Sequence, residues 1–248
     1  MSKIFTLLFV IVALAYVFLL RSFRLADPSN SVNQQYRPLF LQSSVARSLF
    51  FLNRPGDGRF EYFSPEKDTV LVEIDYQVGR NPDERIEEWI ANLVLETLRK
   101  DVEVVVTEQG EILDIEGLSD KALRSLARST RSRVSGESRS YLHIVYISSS
   151  LDASSNTGLS LTANEIFIFK DRIYELSQKA NVRSLIEQST LKHEFGHLLG
   201  LEHVDSEDCV MSESVEVYEK RKYQFDAIPL DFCEESLEGL RRIEEDAL

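Results

Sequence analysis

The sequence predicts a mixed α/β domain that follows a separate, apolar N-terminal helix. Short segments rich in β-branched and aromatic residues alternate with segments whose apolar residues recur at helical spacing, which is typical of a twisted mixed sheet covered by helices. Residues 4–20 contain no charged residue and stand apart from this alternation. The chain has 248 residues, of which 43% are hydrophobic, so it is long enough to bury a large core.

Acidic residues outnumber basic ones, and the formal net charge is −13. An acidic surface repels phosphate backbones, so we expect no nucleic-acid partner. The chain contains two cysteines, which allow one disulfide bond at most and exclude a disulfide-dense scaffold. Nothing in the composition indicates an oligomeric state.

Residues 4–20 predict a membrane segment. The run has 17 residues, lies between Lys3 on one side and Arg21 and Arg24 on the other, and is followed by no small-x-small cleavage signal. We favour an uncleaved anchor with the rest of the chain outside the cytoplasm; a cleaved signal, which would yield a secreted protein, is the alternative. The Lys and Arg count at the two ends slightly favours the reverse orientation.

Three regions follow from this pattern. Residues 1–24 are predicted to be the anchor or signal segment, residues 25–60 a linker next to the membrane, and residues 61–248 the folded domain. Residues 27–37, "DPSNSVNQQYR", are polar and typical of a tether.

The first part of the domain predicts a strand, a helix and a second strand. Residues 69–77 read as a strand, Asn81 and Pro82 are typical of a helix start, and residues 102–107 are rich in β-branched residues. The helix between these strands has one apolar face, formed by Ile86, Trp89, Ile90, Leu93 and Val94.

The second part predicts a helix over residues 119–130 and strands over 141–147 and 164–170, with a polar loop over 148–158. The strand over 141–147 is apolar on both faces, which indicates a central position. His143 lies in it, and a lone histidine on an apolar strand is most often structural, with its hydrogen bonds satisfied. A C-terminal helix is predicted from the spacing of Leu237, Leu240 and Ile243.

Three of the four histidines fall within "HEFGHLLGLEH". His193 and His197 are four residues apart, so on a helix they face the same way and can chelate one ion. Gly200 can end the helix, and His203 then reaches the third position. Three imidazoles with one open position are typical of catalytic zinc, and Glu194 beside them can accept a proton from a metal-activated water.

The same stretch resembles the long zinc motif of the metzincin metallopeptidases, HExxHxxGxxH. Met211 in "CVM" matches the Met-turn of that clan. Within the clan the chain is most similar to the archaemetzincins, whose pattern is HExxHxxGxxHC, four residues, CxM, and later CxxC.

Two of the four cysteines of that pattern are replaced. Val204 stands at the first, and the later pair reads "CEES", Cys233 to Ser236. Archaemetzincins hold a second, structural zinc on these four cysteines, so we expect one catalytic zinc and regard the second as doubtful. Cys209 and Cys233 remain. We favour a disulfide between them, and two reduced, buried thiols are the alternative.

The resemblance implies a metzincin-like domain with a mixed twisted sheet, an active-site helix, a Met-turn and a C-terminal helix. It implies a zinc-dependent endopeptidase or aminopeptidase that acts on peptides or proteins, with Glu194 as the general base and Met211 packed beneath the zinc. Metzincins bind an extended substrate along an edge strand. Here that strand is predicted to comprise Asn164, Glu165, Ile166, Phe167, Ile168 and Phe169.

Two other functions stay open. A family of metal-dependent endoribonucleases uses the same histidine spacing, but it has glycine where this chain has Glu194, and an acidic chain does not suit RNA. The other is a zinc-binding metzincin scaffold without catalysis, since a complete ligand set can still be occluded.

Overall fold

A computed structural model describes residues 2–25, 30–109, 119–133, 135–149, 155–215 and 228–248. The chain divides into two compact units, Met1–Asn53 and Arg54–Leu248. This boundary lies before residue 61, where the domain was predicted to begin. The functional division into anchor, linker and domain stays a prediction.

The N-terminal unit consists of three helices: α1 (Ser2–Leu25), α2 (Ser31–Leu41) and α3 (Ser44–Phe50). The predicted polar tether is therefore wrong over α2, while residues 26–29 lie outside the described part. Helix α2 forms because the Asn30 side chain accepts a bond from Val32 N at its start, and Ser43 caps α3 in the same way.

Helix α1 carries the apolar run. The stretch Lys3–Arg24 has 22 residues and contains an 18-residue window with a mean hydropathy of 2.6, so its length and composition would allow it to cross a membrane. A signal sequence near an N-terminus has the same properties, so both sequence-based alternatives remain.

The second unit is built on a five-stranded sheet with the order β2-β1-β3-β5-β4. β1, β2, β3 and β5 are parallel, and β4 is antiparallel to β5. The predicted mixed α/β class is confirmed. The strands are β1 (Thr69–Tyr76), β2 (Asp101–Glu108), β3 (Arg139–Ile147), β4 (Gly158–Ser160) and β5 (Glu165–Phe169).

Helices cover both faces of this sheet. One face packs with α5 and α8 into the main core, and the other forms a smaller core with α6. The helices of the unit are α4 (Arg59–Tyr62), α5 (Ile86–Leu98), α6 (Asp120–Thr130), α7 (Lys170–Leu176), α8 (Ala180–Leu199) and α9 (Glu234–Ala247).

Helix α5 begins later than the Asn81–Pro82 signal predicted. The Asp83 backbone N–H donates to Glu187 Oε1 at 2.8 Å, and the Asp83 carboxylate accepts from Arg85 N at 3.0 Å. The tertiary contact with Glu187 and the local bond to Arg85 together hold a turn before Ile86, where the regular helix starts.

The predicted edge strand is wrong. Residues 164–169 were expected at the edge, but β5 is hydrogen-bonded to β3 on one side and to β4 on the other. All five residues of β5 are buried, as expected for a strand that is apolar on both faces. The strand at this edge of the sheet is β4, which pairs with β5. Its first residue, Gly158, was assigned to a polar loop.

A buried polar group lies on the α6 face of the sheet. His143 Nε2 is 2.8 Å from Asp75 Oδ2, but its buried Nδ1 has no hydrogen-bond partner among the described residues, so the expected satisfaction of both ring nitrogens is met only at Nε2. Tyr141 donates its hydroxyl to Glu73 Oε2 at 2.6 Å, and Ser132 N donates to the same carboxylate. Burial alone would raise the pKa of Glu73, but the hydrogen bonds from Ser132 and Tyr141 outweigh it, so the pKa is lowered.

Candidate metal centre

Helix α8 and the turn after it bring the three predicted histidines together. His193 and His197 lie one turn apart on α8. The helix ends at Gly200, whose φ of 102° is the left-handed conformation that glycine adopts without strain. Gly200 N and Leu201 N both donate to Gly196 O, so the chain reverses and His203 comes back over the helix end.

The histidine rings converge through their Nε2 atoms. These atoms are 3.0 Å apart for His193 and His197, 3.1 Å for His197 and His203, and 3.3 Å for His193 and His203. Among the described His, Cys, Asp and Glu side chains, this is the group of three or more that is close enough to hold an ion.

Backbone carbonyls orient two of the rings. His193 Nδ1 lies 2.7 Å from Val210 O, and His197 Nδ1 lies 2.9 Å from Leu201 O. A carbonyl only accepts, so each Nδ1 carries the proton and each Nε2 presents a lone pair. This arrangement, a metal-binding nitrogen opposite a nitrogen that donates to a carbonyl, is usual around metal-ligating histidine.

These residues fit zinc. Tetrahedral zinc with Zn–N bonds of about 2.0–2.1 Å places two ligand nitrogens roughly 3.3 Å apart. The three Nε2 distances lie at or slightly below that value. Three nitrogen ligands leave a fourth position, as in catalytic zinc sites.

Glu194 lies beside the histidines on α8 and is almost completely buried. Ser160 of the edge strand β4 holds its carboxylate: Ser160 Oγ is 2.8 Å from Glu194 Oε2 and also 2.8 Å from Glu194 O. An ideal Cβ on Gly158 would lie 3.0 Å from Glu194 Cγ and 2.5 Å from Thr190 Cγ2. The edge strand can therefore approach α8 this closely only with glycine at that position.

Sequence reasoning missed Ser160 and Gly158. Both lie within or next to a stretch assigned to a loop, and their partner is more than thirty residues away in the chain. A short run of Gly, Leu and Ser carries no signal of its own for such a contact.

Met211 lies under the helix, where the Met-turn was expected. It is fully buried, and an ideal Cβ on Gly196 would meet its Sδ at 2.4 Å. Val204 N donates to Met211 O at 3.0 Å, which ties the segment after His203 to the Met-turn.

Cys209 and Cys233 form a disulfide bond. Cys233 is the residue before α9, so the bond joins the Met-turn segment to the start of the C-terminal helix. Ser236 Oγ lies 3.3 Å from Cys209 Sγ and 3.4 Å from Cys233 Sγ. Three of the four residues that correspond to the archaemetzincin cysteines, Cys209, Cys233 and Ser236, therefore lie together at this bond.

Comparison with known proteins agrees with the motif. The family model of the matrixins, which belong to the metzincins, matches residues 151–230, and the match includes all three histidines, Glu194 and Met211. No curated protein sequence matches the chain significantly. The metzincin resemblance predicted from the sequence is thus confirmed.

Three solved structures with a similar fold come from archaea. Archaemetzincin from Methanopyrus kandleri is 18% identical with a TM-score of 0.48, over 73% of this chain and 98% of that one. Archaemetzincin from Archaeoglobus fulgidus is 15% identical with a TM-score of 0.44, over 68% and 98%. A zinc-dependent peptidase from Methanocorpusculum labreanum is 16% identical with a TM-score of 0.45, over 68% and 99%.

Proposed function

We propose that the chain is a zinc-dependent peptidase that hydrolyses peptide bonds. His193, His197 and His203 would hold one zinc ion, and Glu194 would act as the general base. The observation that carries this proposal is the convergence of three Nε2 atoms within 3.3 Å beside a buried, hydrogen-bonded carboxylate.

The chemistry divides between the ion and the protein. When bound, zinc supplies a Lewis acid that polarises a carbonyl and lowers the pKa of a water molecule toward ~7. Glu194 would act as the base that accepts a proton from the attacking water and as the acid that delivers it to the leaving amine. Ser160 keeps one carboxylate oxygen in place, so the other oxygen is presented in a fixed direction.

The substrate is proposed to bind along β4 rather than β5. β4 has β5 as its one neighbour in the described part of the sheet. An extended peptide can add to such an edge through backbone hydrogen bonds, and pockets for alternate side chains then give selectivity. Because Ser160 and Gly158 touch the α8 segment that carries Glu194, a peptide on β4 would pass close to the proposed base.

Two features support a location outside the cytoplasm with α1 as a membrane anchor. Helix α1 is long and apolar enough to cross a membrane. A disulfide between Cys209 and Cys233 persists best in an oxidising compartment. Secretion after cleavage of α1 is the alternative, and the mature N-terminus distinguishes the two.

The test uses the full chain in detergent, with zinc content and peptide cleavage measured together. The library contains peptides with free and with blocked N-termini, which separates aminopeptidase from endopeptidase activity. We expect one zinc per chain, loss of cleavage with a chelator, and recovery with added zinc. Glu194→Gln should keep zinc and lose roughly 10²–10⁴-fold in kcat.

The contradicting result is equally specific. If the wild-type protein binds one zinc per chain but cleaves the library no faster than Glu194→Gln, the chain is a zinc-binding scaffold and not a peptidase. Loss of zinc from Glu194→Gln would show that Glu194 supports the metal site itself.

A further inference from the structure

The helices α2 and α3 are fixed to the C-terminal half of α1. Tyr16 in α1 donates its hydroxyl to Leu49 O in α3 at 2.9 Å. An aromatic cluster joins the three helices, with ring centroids between 4.7 and 5.7 Å apart; its members are Tyr16, Phe23, Phe40 and Phe50. We call residues 31–51 the α2–α3 hairpin.

The hydrogen bond between Tyr16 and Leu49 lies within the apolar part of α1. Tyr16 lies five residues before Arg21, which is about 7–8 Å along a helix at 1.5 Å per residue. It therefore lies inside the uncharged run of residues 4–20. Whatever surrounds that part of α1 also surrounds α3.

Side chains of this unit cap carbonyl groups at the helix ends. The last carbonyls of a helix have no partner within the helix, and in water they are solvated without help. In an apolar medium each would cost several kcal/mol unless it is bonded internally. Besides the Tyr16–Leu49 bond, the caps are Asn33 to Ser22 O at 3.2 Å, Arg37 to Phe23 O at 2.6 Å, and Arg47 to Leu41 O at 2.6 Å.

The outer surface of the hairpin is apolar. Five large apolar side chains are between 43% and 74% exposed, which is as many as in all described residues of the much larger second unit. These side chains are Tyr36, Leu39, Val45, Leu49 and Phe51. An exposed apolar surface of this density marks an interaction site.

Charge indicates which partner covers this surface. Residues 1–53 contain five Lys or Arg and one Asp, a net charge of +4, whereas the whole chain carries −13 and residues 54–248 therefore carry −17. Lys3 lies at the opposite end of α1 and Arg37 is buried, but Arg21, Arg24 and Arg47 lie on the hairpin side and are at least partly exposed. Exposed basic residues beside an apolar surface suit an anionic lipid headgroup region, where each contributes about 1 kcal/mol.

We propose that the α2–α3 hairpin lies in the membrane interface, with its exposed apolar side chains in the boundary between headgroups and acyl chains. α1 then crosses the bilayer, and the hairpin forms a collar around its C-terminal end. The partner is a lipid surface. This inference rests on the membrane anchor proposed above and not on peptidase activity.

The test measures the depth of single nitroxide labels in the full chain, reconstituted in vesicles of phosphatidylcholine and phosphatidylglycerol. Because both native cysteines are joined, one introduced cysteine takes the label selectively. Val45→Cys and Leu49→Cys probe the hairpin, Phe9→Cys probes the anchor, and Leu95→Cys in the second unit is the water-exposed control. Leu95 and Phe9 are similarly exposed in the protein, at 62% and 74%.

We expect collisions with oxygen to exceed those with a nickel chelate at positions 45 and 49, as at position 9. Their oxygen-to-nickel ratio should be roughly tenfold higher than at position 95, because oxygen concentrates in acyl chains and the chelate stays in water.

Three results would overturn the proposal, and they differ from one another. If the labels at positions 45 and 49 collide with the nickel chelate as often as the label at position 95, while the label at position 9 lies in lipid, the hairpin lies in water. Protection from both reagents would mean that protein covers it, either a second copy or another part of the chain. A label at position 9 outside lipid would remove the anchor itself, while the cleavage assay would still decide the peptidase proposal.

Discussion

Ser160 connects the edge of the sheet to the proposed general base, and it is the residue whose role is tested most directly. Replacing it with alanine removes the hydroxyl 2.8 Å from Glu194 Oε2. A hydrogen bond of this kind contributes about 1 kcal/mol, so Ser160→Ala should lower kcat roughly fivefold. KM should not change, because alanine keeps the β4 backbone that is proposed to bind the peptide. The zinc content should not change, because the Ser160 hydroxyl contacts Glu194 and not the histidines.

The conservative variant and a matched control separate positioning from stability. Ser160→Thr keeps the hydroxyl and should recover most of kcat. Ser140→Ala removes a buried hydroxyl on β3 that lies 3.4 Å from Thr69 O, away from the histidines, and should leave kcat unchanged. A rise in KM or a fall in zinc content in Ser160→Ala, with kcat intact, would contradict the positioning role.

Gly196 is required by packing between α8 and the Met-turn. A Cβ at this position would lie 2.4 Å from Met211 Sδ and 3.3 Å from Phe232 Cε1, so Gly196→Ala forces one of them to move. Overpacking costs about 1–3 kcal/mol, which exceeds the gain of about 1 kcal/mol in helix propensity. Urea unfolding should show a net destabilisation.

Gly136→Ala is the comparison for this variant. No described heavy atom lies within 4 Å of the Cβ that would be added there. Its free energy of unfolding should change by less than about 0.5 kcal/mol. Equal effects of the two substitutions would mean that the contact with Met211 does not restrict Gly196.

The ligand residues could be predicted because their geometry is local. His193 and His197 share a face by helix periodicity alone, and a glycine turn suffices to return His203. Ser160 could not be predicted in this way, because its contact with Glu194 depends on how β4 docks on α8. The three histidines are close to one another in the sequence, whereas Ser160 and Glu194 are 34 residues apart. This difference in sequence separation explains why only the histidines were predicted.

At the level of elements, the disulfide joins the segment that carries Met211 to the start of α9. Cys209 and Cys233 are separated by 24 positions, and a bond closing a loop of that size stabilises by about 3 kcal/mol in the loop-entropy model. The double variant Cys209→Ala/Cys233→Ala should lose about this much free energy of unfolding. The zinc content should persist, because no cysteine belongs to the histidine cluster.

Reductant provides the control for that prediction. The wild-type protein with reductant should unfold at a lower urea concentration, and the double variant should not respond. If reductant has no effect on the wild-type protein and mass spectrometry finds two free thiols, the bridge is absent in solution and the alternative of two buried thiols holds.

The sequence predicted whether a segment is a strand or a helix better than it predicted which strands pair with each other. β1, β3 and α6 lie within a few residues of their predicted bounds because alternating or helical apolar patterns report burial directly. The edge position was wrong because the pattern of β5 shows that it is buried but not which strand pairs with it. α2 was missed because its polar sequence reads as a linker, although Asn30 caps it.

The buried carboxylate on the α6 face predicts a pH-dependent effect of Tyr141. Because the pKa of Glu73 is lowered in the folded state, its ionised form stabilises the protein above its unfolded-state pKa of about 4.3, and this contribution is lost as pH falls through the folded pKa. Tyr141→Phe removes a donor 2.6 Å from Glu73 Oε2. This substitution should lower the free energy of unfolding by about 1–3 kcal/mol at neutral pH. The difference in this free energy between the wild-type protein and the variant should narrow below about pH 4.

Tyr62→Phe is the matched control, because the Tyr62 hydroxyl donates to a backbone carbonyl, Tyr141 O, at 3.0 Å. That acceptor does not titrate, and burial raises the pKa of Tyr62 well above its ordinary value. The loss of stability in Tyr62→Phe should therefore be the same at neutral pH and below about pH 4. A parallel pH dependence in both variants would show that Glu73 is not the titrating partner.

On the scale of the whole molecule, structural and chemical roles divide at Asn53. The second unit holds the complete sheet, both buried cores, the disulfide and the three histidines. The first unit holds the apolar helix and most of the described apolar side chains that are exposed. The opposite net charges of the two units follow the same division.

A chain that begins at Arg54 is therefore expected to fold without the first unit. Every hydrogen-bonded neighbour of the five strands and every histidine of the cluster lies within Arg54–Leu248. Its free energy of unfolding should differ from that of the same unit in the full chain by less than about 1 kcal/mol, because its described sheet and cores consist of its own residues. It should bind one zinc and remain in the aqueous phase when mixed with vesicles. Urea denaturation, zinc analysis and vesicle flotation measure these properties, and non-cooperative unfolding of the shortened chain would show that the second unit needs the first in order to fold.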